Sequence, residues 1–467
     1  MPSDARACAY AVVRRVFEQG AYADRALPAE SGRLDRRDRA LAKHLAYGTI
    51  QRKLTLDALI ATLAERPPRR LDRPVLAALR LGLYELLYSD GAPDRAVVAD
   101  SVQLAKDAGR GDRGASGARG GVGRHNGPGP HGLVNAVLRR ATREGRALLD
   151  ALDDTTPGQA AIKHSHPPWL ASLWWEELGA ERARALMAAD NEPGELALRA
   201  NTLVTDARAL ARALARPDPA HGTAAVRTHG DPLVPEALVL DDPFDAHGSP
   251  LWREGAFLAQ SRAAMLVARL LAPRAGERVL DLCAAPGGKS THLAALMDGS
   301  GELLAVEHNR ARAGALARTA RRLHAGNVRI ELADATLPHR DGPVFDRVLV
   351  DPPCSGLGTL QARPDLRWRR QPEQLRQLAQ TQNKILTAGS QAVRPGGLLV
   401  YSTCTISAIE NERQIAAFLD ANPGFGLDDL RAELPALSNP RAPDTVLTVP
   451  DRDHTAGFFI ARLRREE

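Results

Sequence analysis

From residue 255 to the C-terminus the chain repeats one pattern. Short apolar runs alternate with stretches of helical spacing: RVLDLC (278–283), ELLAVE (302–307), VRIELAD (328–334), DRVLVD (346–351) and GLLVYSTC (397–404). Each run has strand length, and each is separated from the next by enough chain for a crossover helix. That rhythm restricts the C-terminal half to a doubly wound, mostly parallel sheet. The helix QSRAAMLVARLLA (260–272) precedes the first run. The late segments TVLTVP and GFFIARL read as an antiparallel pair at one edge.

Folds of this kind place their ligand beyond the carboxyl ends of the strands. Acids stand at those ends: Asp281, Glu307, Asp334 and Asp351. The first run enters CAAPGGKS (283–290), a Gly-rich turn opening a helix. It nearly matches the phosphate-cradling G-x-x-x-x-G-K-[ST], but Cys283 occupies the position of the first glycine. A triphosphate would face four acids and one lysine, whereas a cationic nucleoside without phosphates would be welcome. Glu307 can accept from both hydroxyls of a ribose, and Asp334 from an adenine amino group. The backbone of Cys283, Ala284, Ala285, Pro286, Gly287 and Gly288 can approach such a ligand closely because the glycines carry no Cβ. S-adenosylmethionine fits this description. Lys289 is expected to meet its carboxylate or a neighbouring acid, Asp351 to serve its methionine end or the substrate base, and Asp281 to hold the loop. Two alternatives stay in view: a P-loop ATPase using GGKS and VLVD, and a non-catalytic RNA-binding protein on the same fold.

The chain has four cysteines, Cys8, Cys283, Cys354 and Cys404, none in a C-x-x-C pair. That argues against a zinc site or a disulfide framework, and no metal is expected. Cys354 follows DPP and Cys404 follows YST, each at a strand end on the ligand edge. Either thiol could attack a substrate there, and residue type alone does not choose between them.

The first 150 residues hold 26 Lys and Arg against 17 Asp and Glu, while the whole chain of 467 residues has a net charge of +6. The basic surplus therefore sits at the front, as in a nucleic-acid-binding arm. Segments such as DRALAKHLAYGTIQRKLTLDALIATLA carry apolar residues at helical spacing, so residues 1–150 read as a helical bundle. Residues 108–132, rich in Gly and Arg, lack the apolar content to fold and are expected to be a disordered insertion. Residues 155–250 read as a connector of short helices and a small α/β unit, with Trp169, Trp174 and Trp175 as packing groups. The segment ARPDLRWRR (362–370) offers four arginines around Trp368, either a backbone clamp with a stacking ring or a packed surface loop. No apolar run approaches membrane-spanning length and the N-terminus lacks a signal-peptide pattern, so a cytoplasmic protein without a membrane partner is expected.

DLCAAPGGKS, DPPCSG and YSTCT, in this order, resemble the RNA cytosine-5 methyltransferase family over roughly residues 160–465. The helical front, with HGLVNAVLRR, is similar to the NusB fold, and the pairing points to the B-type enzymes of bacterial small-subunit ribosomal RNA. The Gly-rich insertion departs from the compact NusB pattern. The resemblance implies three parts: an all-α NusB-like domain (1–150), a small α/β connector (155–250) and a Rossmann-like methyltransferase domain (255–467). It implies methyl transfer from S-adenosylmethionine to C5 of a cytosine in 16S ribosomal RNA by a monomer. It also assigns roles to the two cysteines: Cys404 attacks C6 and Cys354 resolves the adduct, while Asp351 stays assigned to N3 of the base or to the methionine end of the cofactor.

Overall fold

The computed structural model describes residues 2–115, 130–217 and 224–467. The heart of the insertion expected at 108–132 lies outside the described residues. Its edges are helical, since the flanking helices run Asp94–Ala115 and Pro130–Asp150.

Two compact units make up the chain. The first spans Met1–Glu192 and takes in a later excursion, Leu360–Arg369. Its helices start and stop where local chemistry dictates. Ser3 caps the helix Asp4–Gln19 and Asp35 caps Arg36–Gln51, each accepting from the backbone three residues on. The helix Arg73–Tyr88 is buried along most of its length and forms the hub of the bundle. Gly48 lets it come close: a Cβ there would lie 1.9 Å from Tyr84 Cζ. The buried Glu85 is compensated by the Arg6 guanidinium, which also reaches Asp100 at 2.8 Å. Trp174 is fully buried, in keeping with its expected packing role.

The excursion resolves the reading of ARPDLRWRR. Arg367 is fully buried and donates to Ser165 O, Asn191 Oδ1 and Asp190 O at 3.0, 2.9 and 3.0 Å. Trp368 Nε1 donates to Ile50 O at 2.7 Å, and the Lys53 ammonium sits 4.6 Å from its ring centroid. Arg369 bonds Asp365 and the carbonyls of Gly20 and Ala21. Three of the five groups expected for an RNA clamp, Arg367, Trp368 and Arg369, are thus spent inside the helical unit.

The second unit spans Pro193–Thr359 and Arg370–Glu467. The residues grouped above as one connector therefore divide: the helices Pro157–Lys163, Pro168–Leu178 and Ala180–Ala189 belong to the first unit, and the strands to the second. Those strands are β1 (Ala197–Ala200), β2 (Thr228–Gly230), β3 (Ala237–Leu240) and β4 (Phe257–Ala259), antiparallel in the order β2-β3-β1-β4. From β1, the buried Arg199 donates to Gln260 Oε1 (2.8 Å), Gly288 O (2.5 Å) and Thr291 Oγ1 (2.9 Å). It thereby fixes the small sheet to the Gly-rich turn.

The large sheet follows the expected rhythm. Its strands are β5 (Arg278–Leu282), β6 (Glu302–Val306), β7 (Val328–Glu331), β8 (Phe345–Val350), β9 (Val393–Thr403), β10 (Phe425–Leu427), β11 (Ser438–Asn439), β12 (Ala442–Thr448) and β13 (Phe458–Arg465). The order is β11-β12-β13-β9-β8-β5-β6-β7, with β10 also on β13. Strands β7, β6, β5, β8 and β9 are parallel, and β13 lies antiparallel to β9. The apolar β5, β6, β8 and β9 are almost wholly buried, as strands covered on both faces must be. The chain runs outward from β5 to β7 and returns to β8 beside β5. That switch point opens a crevice at the carboxyl ends of β5 and β8.

Candidate active site

The turn after β5 is built for close approach. Cys283 takes a left-handed φ of 65°, and Ala284 N donates to Val306 O at 2.9 Å. Gly287 has φ 101°, and a Cβ there would lie 2.7 Å from Leu316 Cδ1. The helix Gly288–Leu296 starts directly afterwards and presents its N-terminal N–H groups. A cavity of about 520 Å³ borders this turn, with Gln260, Asp281, Pro286, Lys289, Arg318 and Asp351 in its wall. Glu307, Asp334 and the two later cysteines lie outside that wall.

The polar groups of GGKS are committed inward. Lys289 Nζ donates to Asp351 Oδ2 at 2.7 Å, and Ser290 Oγ donates to Asp281 Oδ2 at 2.6 Å. Burial works against the Lys289 charge, but Asp351 first, then Cys404 and Asp281, hold its pKa above the ordinary value. A P-loop needs that lysine and serine free for phosphate and metal. Among the described residues, no group of three or more His, Cys, Asp and Glu could hold a metal.

Each acid has its own setting. Asp281 is buried, and desolvation pushes its carboxyl up to about 7 against the Ser290 bond; its Oδ1 has no partner. Glu307, buried at the end of β6, accepts from Asn309 N (2.9 Å) and faces His308 Nδ1 (3.2 Å) and Arg312 Nε (3.3 Å). Asp351 accepts from Lys289 and, through Oδ1, from Ser402 Oγ at 3.1 Å. Burial pushes the Cys283 thiol up to about 12, with Asp351, Asp281 and Glu307 adding to the rise. Those three acids therefore surround the turn. Asp334 stands apart: it is exposed, lies beyond the end of β7, and caps its own turn through Thr336 N and Oγ1 at 2.9 and 2.8 Å. Those bonds hold its carboxyl below the ordinary range.

The two strand-end cysteines meet. Cys354 Sγ and Cys404 Sγ are 3.3 Å apart. The contact with Cys404 and then burial push the Cys354 thiol well up, and the Glu410 and Asp351 charges push in the same direction. Arg370 donates to Ser355 O (2.8 Å) and Cys354 O (3.2 Å). Gly358 N donates to Cys404 O at 3.0 Å, and Gly457 N to Gly358 O at 2.7 Å. A Cβ on Gly358 would lie 2.0 Å from Gly457 O, so only glycine permits this crossing. From sequence alone Glu410 and Asn411 read only as support for the loop after Cys404, Arg370 counts among the arginines of the candidate clamp, and nothing points to Gln382. Asn411 does bind the loop, accepting from Thr403 Oγ1 (2.6 Å) and donating to Thr405 O (2.9 Å).

Comparison with known proteins agrees with this architecture. The family described as 16S rRNA methyltransferase RsmB/F matches residues 268–464, the NusB family residues 3–116, and the RsmF/B-like ferredoxin-like domain residues 166–247. The chain is 34% identical to the probable ribosomal RNA small subunit methyltransferase B of Bacillus subtilis, over 94% of this chain and 93% of the relative. It is 31% identical to the ribosomal RNA small subunit methyltransferase B of Vibrio cholerae, over 99% and 97%. Among solved structures, a methyltransferase homolog from Pyrococcus horikoshii covers 67% of this chain and 99% of its own, at 27% identity and a TM-score of 0.56.

Proposed function

The chain belongs to the 16S rRNA methyltransferase RsmB/F family, and from that premise we propose that it methylates C5 of a cytosine in 16S ribosomal RNA through a covalent cysteine adduct. Its cofactor is S-adenosylmethionine. The residues of this chain fit that group: acids surround the turn, the one lysine is neutralised, and Gly287 leaves the backbone bare. Cys283 to Lys289 would hold it, Glu307 through the ribose, Asp334 through the adenine and Asp351 through the methionine end. When bound, S-adenosylmethionine supplies a methyl group on a sulfonium, an electrophile that needs an electron-rich carbon.

The observation that carries the reading is the 3.3 Å approach of Cys354 and Cys404 beside Asp351. Cytosine C5 is a weak nucleophile. Attack of the Cys404 thiolate on C6 forms an S–C6 bond and turns the ring into an enamine, so C5 becomes the electron-rich carbon. Asp351 is assigned to N3 of the ring or to the methionine end of the cofactor. Release requires the C5 proton to leave to a base. Its electron pair restores C5=C6, and the C6–S pair returns to Cys404. Cys354, in contact with Cys404, serves that second half. The base must leave its stack to meet reagents on both faces. The basic helical front is assigned the task of holding the RNA.

The test is transfer of a labelled methyl group to ribosomal RNA from a strain lacking the protein, followed by mapping at base resolution. Label on C5 of one cytosine is expected; label on adenine or guanine would overturn the reading.

A further inference from the structure

The two thiols have the same chemistry, but the fold surrounds them differently. Ser355, next to Cys354, is gripped by Glu410: its backbone N–H donates to Glu410 Oε1 at 2.8 Å, and its hydroxyl bonds Oε2. Gln382 Nε2 donates to the same Oε1 at 2.9 Å and to Pro353 O at 3.0 Å. Tyr401 OH donates to the Glu410 carbonyl at 2.7 Å. Glu410 is fully buried, and burial raises its carboxyl pKa against the bonds from Ser355 and Gln382. A buried carboxylate is retained only where donors meet its lone pairs, and here backbone, hydroxyl and amide donors do so. A second bond, Ser355 Oγ to Thr405 Oγ1 at 2.8 Å, ties the residue after Cys354 to the residue after Cys404. On the other side, the Lys289 ammonium and Cys404 share a field. Cys354 thus lies in the field of the Glu410 carboxylate, with Arg370 at its carbonyl as a partial offset, and Cys404 in that of the Lys289–Asp351 pair.

We infer that Glu410 is a positioning residue: through Ser355 it fixes Cys354 against Cys404 and keeps Cys354 the proton-bearing member of the pair, reserving Cys404 for attack. The inference rests on the two-cysteine reading above and adds a reason for its division of labour. The proton count of release then closes within the pair. Cys354 gives its proton to Cys404 as the C6–S bond breaks, and the Cys354 thiolate left behind takes the C5 proton while C5=C6 re-forms.

The experiment uses the full chain with S-adenosylmethionine and ribosomal RNA, comparing Glu410→Gln, Glu410→Asp and Ser355→Ala with Cys354→Ala. Glu410→Gln keeps the size of the side chain and removes its charge. Adduct formation and the first methyl transferred should stay within about threefold of the parent, while turnover falls at least about tenfold and methylated adduct survives denaturing electrophoresis. Glu410→Asp should recover part of the release. In the free protein, alkylation by iodoacetamide at neutral pH, read by mass spectrometry, should favour Cys404 in the parent and lose that preference in Glu410→Gln. Equal falls in adduct formation and turnover, with melting temperature and alkylation preference unchanged, would make Glu410 a packing group and overturn the inference. If Cys354→Ala traps no adduct, the assignment of release to Cys354 fails, and the alkylation preference still decides the role of Glu410. Should Glu410→Gln not fold, Ser355→Ala, which keeps the Glu410 charge and the backbone N–H bond but loses the hydroxyl links, carries the same expectation for turnover and surviving adduct.

Discussion

Lys289 Nζ lies 2.7 Å from Asp351 Oδ2, so the cation of the Gly-rich turn is already matched by the acid at the end of β8. A nucleoside triphosphate would find no unpaired lysine there, whereas a sulfonium nucleoside needs none. S-adenosylmethionine at a hundred times its dissociation constant should stabilise the protein by about 2.7 kcal/mol, read as a rise in melting temperature. Mg-ATP should leave the melting temperature unchanged. A shift with Mg-ATP that disappears in Lys289→Met would restore the P-loop reading.

Glu307 is buried at the end of β6 and already accepts from Asn309 N, which orients its carboxylate. Replacing it with Ala should leave the fold intact and weaken cofactor binding by about 1.5–3 kcal/mol, because the lost acceptor is charged. Calorimetric titration measures this directly. Unchanged affinity in a well-folded Glu307→Ala would remove the residue from the cofactor site.

Asp281 predicts a pH effect of unusual sign. Its folded carboxyl titrates at about 7, above its unfolded value, so between these values the folded state binds more protons than the unfolded one. Stability contributed by this group therefore declines as pH rises from about 4 to 7, by at most ~4 kcal/mol. Asn at this position can still accept from Ser290 but cannot ionise. The melting temperature of Asp281→Asn, relative to the parent, should rise across that window and level off above it. A constant difference between pH 4 and 8 would show that Asp281 does not titrate there.

Arg367 and Trp368 are expected to act on stability rather than on RNA. Truncating a fully buried tryptophan costs about 3–5 kcal/mol; Trp368 is half-buried, so Trp368→Ala should lower the melting temperature by less than that ceiling. The slope of RNA affinity against salt concentration should not change, since no phosphate contact is lost. A flatter salt slope with unaltered melting would return this segment to the RNA interface.

How far the sequence was readable follows from the range of the interactions involved. Strands β5, β6, β8 and β9 were legible because each is a local apolar run bounded by turn residues. The turn at 283–289 was legible because a glycine pattern is itself local. The inward turn of Arg367 and Trp368 was not, since RPDLRWRR has the same composition whether it clamps RNA or anchors a bundle. The deciding partner, Ile50 O, lies 318 residues away in the chain. Glu410 was underweighted for the same reason: its meaning comes from Ser355, 55 residues earlier. Asp334 is the converse case, a strand-end acid whose local turn the sequence did not show. Its position after an apolar run matched that of Glu307, but β7 ends at Glu331 and a local turn through Thr336 occupies one of its oxygens.

The 3.3 Å approach of Cys354 and Cys404 leads to the sharpest prediction, because the two thiols should fail in different ways. If Cys404 attacks C6, Cys404→Ala should form no covalent RNA adduct and transfer no methyl group. If Cys354 serves release, Cys354→Ala should still attack and still transfer, then stall. Protein and RNA should remain joined through denaturing electrophoresis, and the joined RNA should carry the labelled methyl. The contrast is clean because one substitution removes the bond-forming atom and the other removes only its neighbour. Adduct trapped by Cys404→Ala and absent from Cys354→Ala would exchange the roles. It would also place the nucleophile in the field of the Glu410 carboxylate instead of the Lys289–Asp351 pair.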